Sequence, residues 1–418
     1  MDHPTPEPAS KQEYRITPTM LVYGGEALAR LPDGRAAFFP FALPGEQVRI
    51  RVIEEKRGHV RAELIEIQKP SPERIPPRCP HFTECGGCHY QHIPYERQIQ
   101  YKTEILRDQL ARIGKISRPP FRPAVESPQR FNYRNHVQFH LNLQGKLGFL
   151  SSRSNQVVPV SECHLPEAAL NEVWPLLDIE PVAGLERVSL RHGNEEDIQI
   201  IFESKNPEPF EFSVEELMIS AVHLGPDGAI VLAGSPTVNI QVLDRNFQVS
   251  AGAFFQVNTI QATAMVEHLL DCLPLTPQTT LLDVYSGVGL FSAFLAPRVE
   301  KLVGIELNHA ACEDFAVNLN EFDNVELYQA PAEQVLKHRK FDVQGILVDP
   351  PRAGLGRRTI EGILAQEASW LAYVSCDPAT LARDARQLIE AGYHLEHITP
   401  FDLFPQTYHI ESISYWKK

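Results

Sequence analysis

Cys376 stands in the segment LAYVSCDPATLARD, where an apolar run gives way to a helix-forming one. A thiol at that junction meets the dipole and free N–H groups of a helix N-terminus, which lower its pKa and favour the thiolate. Structural cysteines prefer strand interiors, so this sulfur reads as a nucleophile. A second feature is the turn Tyr285-Ser286-Gly287-Val288-Gly289, between the apolar run TLLDVY and the helical run LFSAFLA. Its glycines permit a tight turn and close approach to a ligand. Glu306 ends the next apolar run, KLVGIE, at the spacing of about 20 positions that suits a carboxylate to a ribose diol. The turn is not GxGxxG, and alone it does not separate S-adenosylmethionine from a dinucleotide. The run GILVDPPR over Gly345–Arg352 favours S-adenosylmethionine, because its two prolines fix the chain and hold Asp349 at the mouth of a strand.

A thiolate beside a methyl donor has a specific use. Carbon 5 of uracil is a poor nucleophile, and attack by sulfur at carbon 6 converts the ring to an enolate whose carbon 5 can accept a methyl group. A base must then remove the carbon 5 proton so that elimination releases the cysteine. Glu411, in QTYHIESISYW at the start of the last strand, is the candidate base, and His409 is the alternative, two residues away on the same face of a regular strand. Cytosine carbon 5 needs the same thiolate and stays open as a target. A non-catalytic iron–sulfur RNA-binding protein is the rival from a different class.

Seven cysteines are present, at 79, 85, 88, 163, 272, 312 and 376. The odd number and the chain length argue against a disulfide framework. Cys79, Cys85 and Cys88 follow C-x5-C-x2-C around Gly86-Gly87. Paired CxxC knuckles would indicate zinc, whereas three close cysteines and one distant suit an iron–sulfur cluster. Cys163, in VSECHLP, is the expected fourth ligand of a [4Fe–4S] cluster. His81, His89 and His92 are zinc-favouring alternatives if Cys163 lies elsewhere. Cys272 and Cys312 sit in helical apolar contexts and read as inert core.

The elements that must position these groups follow from patterning. Short strands separated by Gly24-Gly25, Pro32-Asp33-Gly34 and Pro44-Gly45 predict a small antiparallel barrel of OB type between about Arg15 and Gln68. A proline-rich linker, QKPSPERIPPR, leads into the cysteine cluster, and residues 96–113 have a helical rhythm. Residues 130–250 are mixed with strands dominant, including HVQFHLNL, DIQIIF and GAIVLAG. From about residue 262 the strand candidates TLLDVY, KLVGIE, GILVDP, LAYVSC, HLEHITPFD and ISYWKK alternate with helices. That alternation predicts an α/β fold with a mostly parallel sheet, whose ligands bind beyond the carboxyl ends of the strands.

Composition is that of a globular chain, 43% hydrophobic and 22% charged, with no apolar run long enough to span a membrane. The N-terminus is polar and proline-rich, so no secretory signal and a cytoplasmic location are expected. A net charge of −14 argues against a polyanionic partner, but the charge is unevenly spread. Between Glu162 and Asp227 stand 15 acidic residues and 3 basic ones, while Arg97–Arg134 holds nine Arg/Lys against Glu104, Asp108 and Glu126. A basic face on an acidic protein is one reading, and a solvated helix of mixed charge is the other.

The chain resembles the RNA 5-methyluridine methyltransferase family, especially its iron–sulfur 23S ribosomal RNA (uracil-5-)-methyltransferase members. The motifs span nearly its whole length: PGE at 44–46, CPHFTECGGCHYQH, YRNH at 133–136, FFQVN at 254–258, DVYSGVG, DPPRAG, SCDPATLARD and HIES. The resemblance implies a Rossmann-like S-adenosylmethionine-dependent methyltransferase domain over 249–418 and a TRAM-type OB-like barrel over 10–69. Between them it implies a central mixed, strand-rich iron–sulfur/RNA-binding domain over 70–248, with helix 93–115 able to pack on the catalytic domain. It gives Cys376 the nucleophile's role and Glu411 the base's, and assigns Gln256, Tyr285, Glu306 and Asp349 to the cofactor. Phe254 stands where the family contacts the flipped uracil, and Arg134, in YRNH, is the second expected substrate-binding residue. Ser286 replaces a cysteine frequent in the glycine loop, and Leu290 an asparagine that contacts the cofactor in some members, so neither is counted as a site residue. The implied substrate is RNA, ribosomal rather than transfer, with no membrane and no obligate protein partner.

Overall fold

A computed structural model describes residues 12–152, 154–195, 197–211 and 219–418. Residues 10 and 11 of the expected barrel, and Glu196, Glu215 and Glu216 of the acidic stretch, lie outside the described residues. The chain forms two compact units, one running to Ile105 and including Gln406–His409, the other comprising Leu106–Pro405 and Ile410–Lys418.

The first unit contains β1 (Glu13–Ile16), β2 (Met20–Val22), β3 (Glu26–Arg30), β4 (Ala36–Pro40), β5 (Gln47–Glu55) and β6 (His59–Lys69). They form one sheet in the order β1-β5-β6-β4-β3-β2. Strict alternation drives it: Ala27, Ala29, Ala37, Phe39, Val48, Ile50 and Val52 turn inward while their neighbours face solvent. Gly24, Gly25, Gly34 and Gly45 all take positive φ at the predicted turns. One pairing departs from the antiparallel expectation, since β4 runs parallel to the first residues of β6. The 11-residue β6 is long enough to serve both neighbours, with β5 returning along its other edge. In the PGE turn, Glu46 is fully buried and ion-paired to Arg74 at 2.7 Å, and it also accepts the backbone N–H of Leu43 and of Ser71. That carboxylate thereby ties the proline-rich linker to the sheet.

Helix α1 (Tyr95–Arg112) follows, and the strands of the second unit begin with β7 (His136–Leu141), β8 (Leu147–Leu150), β9 (Val157–Pro159), then α2 (Ala168–Val173), β10 (Leu185–His192), β11 (Ile198–Ser204), β12 (Ser220–Gly225) and β13 (Gly228–Ala233). Their sheet has the order β13-β12-β11-β10-β7-β8-β9, with α2 packed over Val137, Phe139, Val188 and Leu190. A hairpin of β14 (Thr237–Val242) and β15 (Arg245–Ser250) instead buries Val238, Ile240, Phe247 and Val249 in the core of the C-terminal sheet.

That C-terminal sheet is preceded by α3 (Thr259–Cys272). It comprises β16 (Thr280–Val284), α4 (Leu290–Leu295), β17 (Lys301–Glu306), α5 (His309–Asn318), β18 (Val325–Gln329), α6 (Ala332–His338), β19 (Gly345–Val348), α7 (Arg357–Ala365), β20 (Trp370–Ser375), α8 (Pro378–Glu390), β21 (His394–Phe401) and β22 (Glu411–Lys417). The order is β18-β17-β16-β19-β20-β22-β21. Strands β16 to β20 are parallel, and the near-continuous apolar runs of β16, β17, β19 and β20 are buried on both faces, as a helix-covered parallel sheet requires. The last strand inserts antiparallel between β20 and β21. Its reversed direction puts its first residue, Glu411, at the end of the sheet where the parallel strands have their last residues. The order reverses at β16, whose neighbours are β17 and β19, and a crevice opens beyond such a switch point. No helix among the described residues is long and apolar enough to cross a membrane.

Candidate active site

The register of the last strands brings the expected nucleophile and base together. Ser375, the last residue of β20, pairs with Ser412, so Cys376 just past β20 and Glu411 at the start of β22 meet at the same end of the ladder, near enough for the Glu411 carboxylate to act on the thiol. Asp349 follows β19, the neighbour of β20, and its N–H donates to the Val284 carbonyl at the end of β16 at 3.2 Å. Three carboxyl-end positions and the start of β22 therefore converge. His409 precedes β22, so the strand alternation that would align it with Glu411 does not extend to it.

Charge follows from this crowding. Cys376 is half-buried, and burial, then the carboxylates of Glu411 and Asp349, push its thiol up to about 12, against the opposing Arg352 guanidinium. The expected lowering by the helix N-terminus is overturned. Asp377, the N-cap of α8, takes the N–H groups of Ala379 and Thr380 at 2.9 Å each, so these donors serve a carboxylate instead of the sulfur. Glu411 is held well above the usual carboxylate range by burial and by Asp349, again against Arg352. Burial and the neighbouring Asp283 raise Asp349 to about 7. Asp283 itself reaches about 7 through burial, although Ser292 donates to it at 2.5 Å. Arg352 is a site residue that sequence reasoning left unassigned, and its signal was its place directly after the two prolines. The loop carrying it is fixed from α8: Asp384 accepts the Leu355 N–H at 2.8 Å and Arg383 donates to the carbonyls of Ala353 and Leu355.

A pH-dependent stability follows from Asp349. An aspartate in an unfolded chain ionises near 3.9, and in the fold near 7. The folded state thus holds the proton more tightly, so this group's support for folding is complete below about pH 4 and is lost as pH rises through about 7. Asp349→Asn cannot ionise. It is expected to match wild type in denaturant unfolding near pH 4 and to exceed it by roughly 2–4 kcal/mol at pH 8. Equal stabilities at pH 8 would contradict this assignment.

The glycine turn and Glu306 form the other wall. Tyr285 and Ser286 donate to the Ile305 carbonyl, locking the turn to β17. Tyr285 is held at φ 67°, a left-handed conformation that costs a β-carbon-bearing residue on the order of 1 kcal/mol or more. Gly289 caps α4 at φ +87°, and a Cβ there would stand 2.3 Å from Leu319. Glu306 accepts the N–H of Gly287 at 2.9 Å on one oxygen and those of Leu307 and Asn308 at 2.7 Å each on the other. A carboxylate has about four lone-pair sites, and the one left on the oxygen that faces Gly287 suits a hydroxyl donor such as a ribose presents. Leu290 is buried in the hydrophobic core.

The segment before α3 carries Phe254 and Gln256. Arg191, itself buried, donates to the carbonyls of Ser250 and Ala253 at 2.7 and 2.8 Å. Asn135 donates to the Gln256 and Val257 carbonyls, and Asn258 caps α3 while donating to Leu403 at 3.2 Å. Phe254 is 68% exposed on this rigid stretch, so its ring is available to a ligand, whereas Gln256 is only 9% exposed. Arg134 adjoins the same segment through Asn135, and its guanidinium stands 5.7 Å from the Phe404 ring centre.

Of the cysteines, Cys79, Cys85 and Cys88 lie in the first unit and Cys163 in the second. The N–H of Gly87 points at the Cys85 sulfur at 3.3 Å, the donor arrangement a metal-bound thiolate accepts. Residues 132–134 pair with 164–165, the residues next to Cys163.

Residues 235–418 match the family described as tRNA (Uracil-5-)-methyltransferase, and residues 11–65 match the TRAM domain. An uncharacterized RNA methyltransferase of Aquifex aeolicus is 34% identical, over 96% of this chain and 97% of the relative. One from Halalkalibacterium halodurans is 32% identical over 97% of each. The crystal structure of Pyrococcus abyssi tRNA (uracil-54, C5)-methyltransferase in complex with S-adenosyl-L-homocysteine superposes with a TM-score of 0.71, at 25% identity, over 96% of this chain and 99% of that one.

Proposed function

Because the chain belongs to the RNA (uracil-5-)-methyltransferase family and uses S-adenosylmethionine to methylate uracil carbon 5 in RNA, we propose that Cys376 is its nucleophile and Glu411 its base. The observation that carries this reading is the meeting of Cys376, just past β20, and Glu411, the first residue of β22, at the carboxyl end of the parallel sheet. Gln256, Tyr285, Glu306 and Asp349 would hold S-adenosylmethionine, which supplies an electrophilic methyl group on a cationic sulfur. Glu306 would accept from a ribose hydroxyl, and Asp349 would face positive charge. Phe254 would stack on the extruded uracil and Arg134 would pair with an RNA phosphate.

The thiol must first lose its proton, which needs the carboxyl-crowded chamber to gain positive charge or lose negative charge. Sulfur then bonds to carbon 6 as the C5=C6 π pair moves toward the carbon 4 carbonyl. Carbon 5 takes the methyl group, Glu411 accepts the carbon 5 proton, and the C5–H electron pair re-forms the double bond while sulfur departs. The thiolate returns at the end, and one proton is released per methyl transferred.

In this reading Cys79, Cys85, Cys88 and Cys163 would be the ligands of a [4Fe–4S] cluster whose task is structural or RNA-positioning, since methyl transfer needs no electron. The three proposed functional parts are residues 10–69, 70–248 and 249–418. The RNA is proposed to be 23S ribosomal RNA, on the likeness of the cysteine motif to ribosomal members. A transfer RNA is the second reading, favoured by the Pyrococcus abyssi tRNA enzyme, which covers 96% of this chain. Unmodified transcripts of 23S ribosomal RNA and of transfer RNAs, treated with the full-length protein and S-adenosylmethionine, would be digested and mapped for 5-methyluridine. 5-Methyluridine in the ribosomal transcript is expected. Modification confined to transfer RNA would replace the first reading with the second.

A further inference from the structure

His268 and Cys272 stand one helical turn apart on α3, and His397 projects from β21. One ligand atom from each lies within 4.8 Å of those of the other two. Nothing in methyl transfer uses them. His397 is buried, and its Nε2 and that of His268 are buried atoms without a hydrogen-bond partner. Unsatisfied buried polar atoms are uncommon because each forfeits its hydration, and two beside one thiol point to a shared ligand. The two imidazole centres are 6.0 Å apart. Two imidazoles held at zinc–nitrogen bonds of ~2.0–2.1 Å put their centres roughly 5–6 Å apart.

We propose that His268, Cys272 and His397 bind one zinc(II) ion, with Cys272 as thiolate. Two imidazoles and one thiolate form a borderline-soft donor set, while magnesium and calcium need oxygen ligands that this set lacks. Binding replaces the S–H bond by an S–Zn bond and releases one proton. The charges around the cluster are mixed: Arg122 opposes a cation, and Asp271 and Glu396 favour one. Tyr415 packs on the His397 ring. His397 pairs with Tyr415 and Phe401 with Glu411, so the cluster lies four residues along β21 from the candidate catalytic end, roughly 13 Å. Its role is therefore structural, a clamp between α3 and the edge strand β21.

The test uses the full-length protein, saturated with zinc and desalted, with metal counted per chain by mass spectrometry. Wild type is expected to retain one zinc more than Cys272→Ser and one more than His397→Ala, and zinc should raise the melting temperature of wild type only. Equal zinc content in all three would overturn the proposal. A zinc-edge anomalous difference map of wild-type crystals needs no variant. A peak between the three side chains supports the site, and its absence after zinc soaking overturns it.

Discussion

Cys376→Ala is expected to lower methyl transfer by at least about 10⁴-fold, some 5–6 kcal/mol of transition-state stabilisation, while folding normally. The size of the effect follows from what the sulfur contributes. Without a bond at carbon 6, carbon 5 stays a weak nucleophile, and neither a bound cofactor nor a well-placed base compensates. The fold should tolerate the change, because the side chain is half-buried at the end of β20 and adds nothing to the ladder beneath it. Steady-state rates and binding of S-adenosylmethionine, measured on the same preparation, separate the two effects. Retained binding with lost turnover is the expected pattern. Turnover within tenfold of wild type would remove Cys376 from the reaction.

Glu411→Gln is expected to slow turnover by about 10²–10⁴-fold and to leave enzyme joined to RNA. The amide keeps the shape and hydrogen-bonding capacity of the buried side chain but accepts no proton, so the methylated adduct forms and does not eliminate. A protein–RNA species stable to denaturing electrophoresis should accumulate with ordinary RNA and S-adenosylmethionine. Loss of activity with no such species would place Glu411 before addition. The wild-type pH profile has a matching sign. Base and thiol must both ionise, and both are displaced upward by burial, so kcat/KM should climb with pH through neutrality.

Much of the catalytic fold is legible because parallel strands buried on both faces leave continuous apolar runs. KLVGIE matches β17 residue for residue. Strand β18, VELYQ, lies at the sheet edge and is only half-buried, so it lacks that signature and is not legible as a strand. The antiparallel insertion of β22 is invisible in composition, yet it brings Glu411 to the end of the ladder where Cys376 stands. Electrostatics misled most where local reasoning was used alone. The helix N-terminus after Cys376 is real, but its donors are spent on Asp377, and the carboxylates of Glu411 and Asp349 come from strands distant in sequence. The same limit applies to Cys272, expected to be inert core. His268 is visible one turn before it, whereas His397 is 125 positions away and joins them only through the packing of α3 against β21.

The most direct test of the covalent route is a trap that cannot eliminate. RNA in which 5-fluorouridine replaces uridine is incubated with wild-type protein and S-adenosylmethionine, and the digest is sequenced by mass spectrometry. Fluorine at carbon 5 leaves no proton for Glu411 to remove, so the methylated nucleotide should be found on the sulfur of Cys376. Recovery of all the RNA unattached, or attachment at another cysteine, would contradict the mechanism.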